Sequence, residues 1–164
     1  MVDADAVIGE VDGGRAPLAR VLNAVRVGSA SELLGVGAGA MALTVDYLKT
    51  RKQFGQPIGA FQALQHRAAH LYSEVEVARS ATLKAQQLLD AGDPEAERAV
   101  HVARAMAGLA ATLAVQEGVQ MHGGVGMTDA FDIARSGPRR DVRRRRLSRR
   151  RAGAPRRLLT FHPA

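Results

Sequence analysis

The sequence predicts an all-α protein: an antiparallel up-down bundle of three long helices with an incomplete fourth, preceded by a short extended lead-in. Three observations carry this expectation. Apolar residues recur at three- and four-residue intervals over long stretches. Breaking signals are concentrated at Asp12-Gly13-Gly14, Phe54 to Gly59, Asp93-Pro94 and His122 to Gly126. The composition is 46% hydrophobic but only 4% aromatic, with no tryptophan, which suits a core of small and medium side chains such as helix bundles build. An all-β fold is disfavoured. At 164 residues the chain is long enough for one compact domain rather than two.

Residues 1 to 14 alternate weakly through Val2, Ala4, Ala6 and Ile8 and end in a turn, as a short extended lead-in does. From Ala16 to about Lys52, Leu18, Val21, Leu22, Val25, Leu33, Leu34, Met41 and Val45 trace one long helix. Gly35, Gly37 and Gly39 lie in its middle, each about 1 kcal/mol worse than alanine in an exposed helix interior, so close helix packing or a kink is expected there. Pro57 and its flanking glycines end the pattern in a structured loop. A second helix, about Ala60 to Ala91, places Phe61, Leu64, Ala68, Leu71, Tyr72, Val75 and Ala78 on one stripe, with Arg67 and Glu74 off it. Asp93, Pro94 and Glu95 supply an N-cap, a first-turn proline and a first-turn acid for a third helix running to about Met121. His122-Gly123-Gly124-Val125-Gly126 must end it, and Thr128 and Asp129 offer a cap for a short fourth.

There is no cysteine, so disulfides, thiolate metal sites and a cysteine nucleophile are excluded together. The N-terminus has no basic and apolar leader, and no later stretch holds eighteen uncharged apolar residues. A soluble, cytoplasmic protein with no membrane association is expected. The net charge of +7 is segregated: residues 1–134 carry 11 Lys+Arg against 15 Asp+Glu, whereas residues 135–164 carry 12 Arg against the single acid Asp141. The basic character therefore belongs to the tail alone.

The segment YLKTRKQFGQPIGAFQALQHRAAHLY, Tyr47 to Tyr72, resembles the signature of the flavin-dependent acyl-CoA dehydrogenase family over its whole length. The segment QMHGGVGMTDAFDI, Gln120 to Ile133, is similar to the family's Gly-Gly turn between its last long helices. The resemblance implies that Arg51, Phe54 and Gln62 face FAD, and that the backbone of Gln120, Met121, His122, Gly123 and Gly124 approaches its adenosine diphosphate part. The chemistry suits those roles. An arginine near a helix end can fork onto a pyrophosphate, a phenylalanine can cover an apolar cofactor surface, and a glutamine can donate and accept. Glycines admit a close approach that a Cβ would block, and their amides can receive an anion. Without the resemblance, Arg51 reads as a solvated cation, Phe54 as a core aromatic and His122 as a surface or capping histidine. The five scattered histidines show no metal-ligand spacing, and no metal is expected.

A dehydrogenase of this family removes a proton alpha to the thioester carbonyl with a carboxylate while hydride leaves the beta carbon for the flavin. The catalytic base is unknown in this sequence. The family places its Glu beyond the fourth helix or, in some branches, on the first long helix; the second location falls near Val25, and the first falls in a tail without Glu. Glu32 reads as a solvent-facing residue, and Asp129 and Asp132 as caps.

The resemblance divides the chain into a lead-in at 1–15 that ends a missing middle domain, a helical bundle at 16–133, and an Arg-rich tail at 134–164 that is frame-shifted or disordered. A codon choice GTT-CGG-CGA-CGC-CGC for Val142 to Arg146 reads Phe-Gly-Asp-Ala-Ala one base on, a string similar to what family members carry after their last helix. A native tail would instead bind nucleic acid through phosphate neutralisation, with strong salt dependence. The expectation is thus a C-terminal fragment of an FAD-dependent acyl-CoA dehydrogenase, inactive alone, implying an acyl-CoA substrate, an electron-transfer flavoprotein partner and a homo- or hetero-oligomer. The alternatives are a non-catalytic helical oligomerisation module or, through the tail, a nucleic-acid binder.

Overall fold

The computed structural model describes residues 12–128 and, ahead of them, Ala6, Gly9 and Glu10. Helix α1 spans Arg15–Thr50, α2 spans Gln62–Asp90 and α3 spans Ala96–His122. Between α1 and α2 a minimal antiparallel hairpin pairs β1 (Lys52–Gln53) with β2 (Gln56–Pro57), and a 3-10 turn, Ile58–Ala60, leads into α2. A second 3-10 segment, Gly123–Met127, follows α3. The all-α expectation is met. The expected short fourth helix and the arginine-rich tail fall outside the described residues.

The joins follow from local chemistry. The expected structured loop is a hairpin because Phe54 and Gly55 both hold positive φ, 53° and 81°, the pair of angles a two-residue hairpin loop favours. Pro57 is tolerated because a two-stranded ribbon has only edges. Helix α2 ends at Gly92, φ 65°, where Gly92 N–H donates to the Leu89 carbonyl at 3.2 Å and Asp93 N–H to that of Leu88 at 3.0 Å. This is a Schellman closure, and it corrects the expected start of α3. Asp93 belongs to the end of α2, so the third helix begins at Ala96, with Glu95 rather than Asp93 at its N-cap. The Asp93 carboxylate still accepts the Glu95 N–H at 2.8 Å, in a turn ahead of the helix. The lead-in ends in the expected turn: Gly13 N–H donates to the Glu10 carbonyl at 3.0 Å, and Gly9 and Asp12 hold positive φ.

Helix α2 runs antiparallel to α1 and α3, which lie side by side in the same direction. Near one end Val27 packs with Ala85, Val100 and Ala103. Near the other, Leu48 shares a cluster with Leu71, Val75 and Met121. By length and composition alone α3 could cross a membrane, yet its alanines 103, 107, 110, 111 and 114 form the buried seam of the bundle.

The buried face of α1 differs from the stripe that its large apolar residues trace. Asn23, Val27, Ala30, Gly37, Ala40, Thr44 and Leu48 are inside, whereas Leu18, Val21, Leu22 and Val25 are exposed. The physical reason is the alanine face of α3: two helices whose facing residues are small approach closely, and that gain in packing selects the small-residue face of α1. A Cβ built on Gly37 would lie 3.3 Å from the Ala111 Cα, a backbone atom that cannot swing aside. Close packing, rather than a kink, explains that glycine. In α2, Tyr72 likewise falls outside the core, 56% exposed, while Leu71, Val75 and Ala78 are buried as expected.

Gly35 and Gly39 meet nothing within 4 Å of a built Cβ. Gly35→Ala and Gly39→Ala are each expected to stabilise the chain by about 0.5–1 kcal/mol through helix propensity and reduced unfolded-state entropy. Gly37→Ala should lose that gain to its clash. Urea unfolding of the three single variants checks the contrast.

Candidate functional site

The C-terminal ends of α1 and α3 lie side by side and leave an open cleft of ≈ 490 Å³ between them. Tyr47, Arg51, Gln53 and Ile58 line one wall; Gln120, Met121, His122, Gly123, Gly124, Val125 and Thr128 line the other. On the first wall, Arg51 leaves the helix in an extended conformation, φ −71° and ψ 126°. Its N–H donates to the Tyr47 carbonyl at 2.9 Å, and its own carbonyl accepts the Ile58 N–H at 2.8 Å. The backbone of Arg51 is therefore held from the helix and from the hairpin while its side chain stays exposed. The 3-10 turn after the hairpin tucks closely under α1, since a Cβ on Gly59 would come within 2.9 Å of the Leu48 carbonyl oxygen.

On the second wall, Gly123 adopts φ 64°, ψ −145°, a conformation open to glycine and strained for any L side chain. Its N–H donates to the Gln120 carbonyl. Gly126 is pressed against the helix end: a Cβ there would sit 2.8 Å from the Val119 carbonyl oxygen and 2.9 Å from the His122 Cβ. Thr128 closes the turn, its N–H and hydroxyl both reaching the Val125 carbonyl, at 3.1 and 2.7 Å. Gly123 and Gly124 are exposed, and a Cβ on either would project into open space.

Among the cleft's lining residues there is no carboxylate, and Arg51 is the one permanent charge. Two helix C-termini point their partial negative charge toward this region, so an anion is favoured there only beside a cation. Arg51 supplies that cation, and exposed Gly123 and Gly124 leave open space for a close approach. One turn back from the end of α3, Arg67 Nε of α2 donates to Glu117 Oε2 at 2.6 Å and ties α2 to α3. This hydrogen bond raises the Arg67 pKa above its ordinary value.

His122 is not the surface residue that its type and neighbours suggest without the resemblance. It is 3% exposed, and its ring stacks on Tyr47 with centroids 4.2 Å apart and planes at 20°. Its Nδ1 lies 2.7 Å from the Gly118 carbonyl oxygen. A carbonyl can only accept, so Nδ1 carries a proton. The glycines that follow His122 masked this burial in the sequence, because they suggest a solvated helix end.

Of the residues singled out from sequence, the fold gathers Arg51, Gln120, Met121, His122, Gly123 and Gly124 into one cleft. Phe54 and Gln62 lie outside it: Phe54 sits at the hairpin tip, 92% exposed and edge-on to Phe61 at 6.1 Å, and Gln62 is the exposed first residue of α2. Tyr47, Gln53, Ile58, Val125 and Thr128 were not singled out. Tyr47 was the readable one, since four residues before Arg51 is one helical turn on the same face. Val25, at the position where some branches carry their base, is 64% exposed, and Glu32 is also exposed.

A family profile described as the acyl-CoA dehydrogenase C-terminal domain matches residues 12–149. Acyl-CoA dehydrogenase FadE12 of Mycobacterium tuberculosis (strain ATCC 25618 / H37Rv) is 41% identical over 132 residues, covering 80% of this chain and 34% of that protein. Butyryl-CoA dehydrogenase from Megasphaera elsdenii superposes with a TM-score of 0.75 at 32% identity, over 82% of this chain and 35% of the other. An FAD complex of PigA superposes at 0.62 with 25% identity, over 65% and 28%. The chain spans about a third of the length of these relatives. With most of its length matched in sequence and in fold, the chain belongs to the acyl-CoA dehydrogenase family, to whose C-terminal helical domain it corresponds.

Proposed function

We propose that this chain supplies part of the FAD site and of the oligomer core of an acyl-CoA dehydrogenase. The observation that carries the reading is the cleft itself, where Arg51 faces a turn whose glycines leave open the space a Cβ would occupy. In that arrangement Arg51 pairs with the cofactor's pyrophosphate, and the backbone from Gln120 to Gly124, exposed at Gln120, Gly123 and Gly124, lies along its adenosine diphosphate part. Phe54 and Gln62, on the adjoining outer surface, present an apolar face and an amide to the remainder of the cofactor or to a neighbouring subunit.

Bound FAD would accept the hydride that leaves the beta carbon of an acyl-CoA thioester, and an electron-transfer flavoprotein would reoxidise it. The chain's own residues bind and orient the cofactor. The acids of α1, Glu32 and Asp46, are exposed and do not line the cleft, so neither is assigned a part in cofactor binding. Activity of this polypeptide alone is not expected.

The test is retention of FAD by the purified chain after desalting, read as flavin absorbance. Retention is expected, and Arg51→Ala should weaken it about tenfold or more, the size of a lost charge-assisted hydrogen bond. Absence of retention by the unsubstituted chain would leave a second reading, a non-catalytic oligomerisation module, which the exposed apolar residues Leu18, Val21, Leu22 and Val25 favour. Sedimentation as a monomer would then remove that reading as well.

A further inference from the structure

We propose that Tyr47 and His122 are positioning residues whose stacked rings clamp the end of α1 that bears Arg51 to the end of α3 that bears the glycine turn. The pair thereby sets the opening of the cleft. The inference rests on the FAD reading above and adds to it the device that keeps the two walls in register.

Along most of the α1–α3 seam the facing residues are as small as residues can be. Gly37 touches Ala111, and Ala40 shares a cluster with Ala110 and Ala114. Carried on to the helix ends, such a seam would bring the two backbones together. Two aromatic rings occupy that level instead, with centroids 4.2 Å apart. They hold the walls apart by the thickness of a stacked pair while joining them by its attraction, and the cleft opens beside them. Neither ring is loosely placed. The Tyr47 carbonyl accepts the Arg51 N–H at 2.9 Å, so a displacement of Tyr47 is passed to Arg51 directly. The protonated Nδ1 of His122 binds the Gly118 carbonyl one turn back, which fixes the imidazole plane and with it the peptide entering Gly123. Stacked rings favour a narrow range of separation and tilt, so the pair defines a distance where an aliphatic contact would tolerate several.

The test uses the full chain with Tyr47→Leu, which keeps bulk and removes the ring, and Tyr47→Phe, which keeps the ring. Amide hydrogen exchange is the first readout. Tyr47→Leu should speed exchange at Arg51 and from Gly123 to Thr128 while leaving the middle of α2 protected, and Tyr47→Phe should restore the slow rates. Exchange unchanged in Tyr47→Leu, or raised equally throughout α2, would overturn the clamp, as would failure of Tyr47→Phe to restore protection.

FAD affinity is the second readout. Tyr47→Leu should weaken binding about two- to tenfold, the worth of an aromatic pair, and should add nothing to the loss already caused by Arg51→Ala, because it acts through Arg51. Additive losses, or an affinity unaffected by Tyr47→Leu, would overturn the positioning role even if exchange responds. An unsubstituted chain without affinity for FAD would remove the cofactor reading and the role built on it, while exchange would still decide whether the rings clamp the two helices.

Discussion

Leu71→Ala should lower the free energy of unfolding by about 2–5 kcal/mol, measured by urea denaturation. Leu71 is 1% exposed and heads the short group of sizeable side chains that are fully buried, with Val75, Val100 and Thr44. It packs in the cluster that contains Leu48 from α1, Val75 and Ala78 from α2, and Ala114 and Met121 from α3. Ala40, Ala78, Ala110 and Ala114 make up half of the cluster's buried members, and alanines have no spare atoms with which to fill a void. The cavity left by truncation would therefore persist, and the cost combines lost transfer energy with lost dispersion contacts. Leu109→Ala is the control: at 72% exposed, its truncation should change stability by no more than about 0.5 kcal/mol. Since small domains are stable by about 5–15 kcal/mol, the Leu71 variant should lose a substantial part of the whole.

The second large effect separates two glycines two residues apart. Gly126→Ala places a Cβ 2.8 Å from the Val119 carbonyl oxygen and 2.9 Å from the His122 Cβ, and the nearest obstacle is backbone. Relief requires the 3-10 segment to move off the end of α3, at a cost of about 1–3 kcal/mol. Gly124→Ala meets nothing within 4 Å. Its stability should stay within about 0.5 kcal/mol of the unsubstituted chain, as for a surface change. On the FAD reading its methyl group occupies space needed by the cofactor, so retention of flavin should fall. Thermal unfolding and flavin absorbance on the same two variants separate the roles: loss of stability in Gly124→Ala, or none in Gly126→Ala, would contradict this division.

Phe54 combines two unusual features. It is almost wholly exposed, and it holds positive φ, a conformation that costs a non-glycine residue about 1–3 kcal/mol. Stability alone gives no reason to keep a phenylalanine at this hairpin tip, where asparagine or glycine would fit better. The strain supports a contact role for the ring, in keeping with the resemblance of its segment to a cofactor-facing signature.

Local chemistry in the sequence indicated the three long helices found among the described residues, their approximate ends and the identity of the breaks. Proline and glycine act on the backbone at the positions they occupy, so the breaks at Phe54 to Gly59, Asp93-Pro94 and His122 to Gly126 could be recognised without tertiary context. The resemblance of two segments to the family likewise pointed to Arg51 and the Gln120 to Gly124 turn, which the fold brings to one cleft. Other features depended on which surfaces meet. The large side chains of α1 pointed to a face containing Leu18, Leu22 and Val25, yet the bundle buries Asn23, Ala30, Gly37 and Ala40, because the alanine face of α3 rewards close approach over bulk. His122 looked solvated beside its glycines and is buried because Tyr47, 75 positions earlier, lies across from it. Hydrophobic periodicity records the preferences of one helix, whereas burial is a property of pairs, and only the packed pair of α1 and α3 determines which residues face inward and where a cleft is left open.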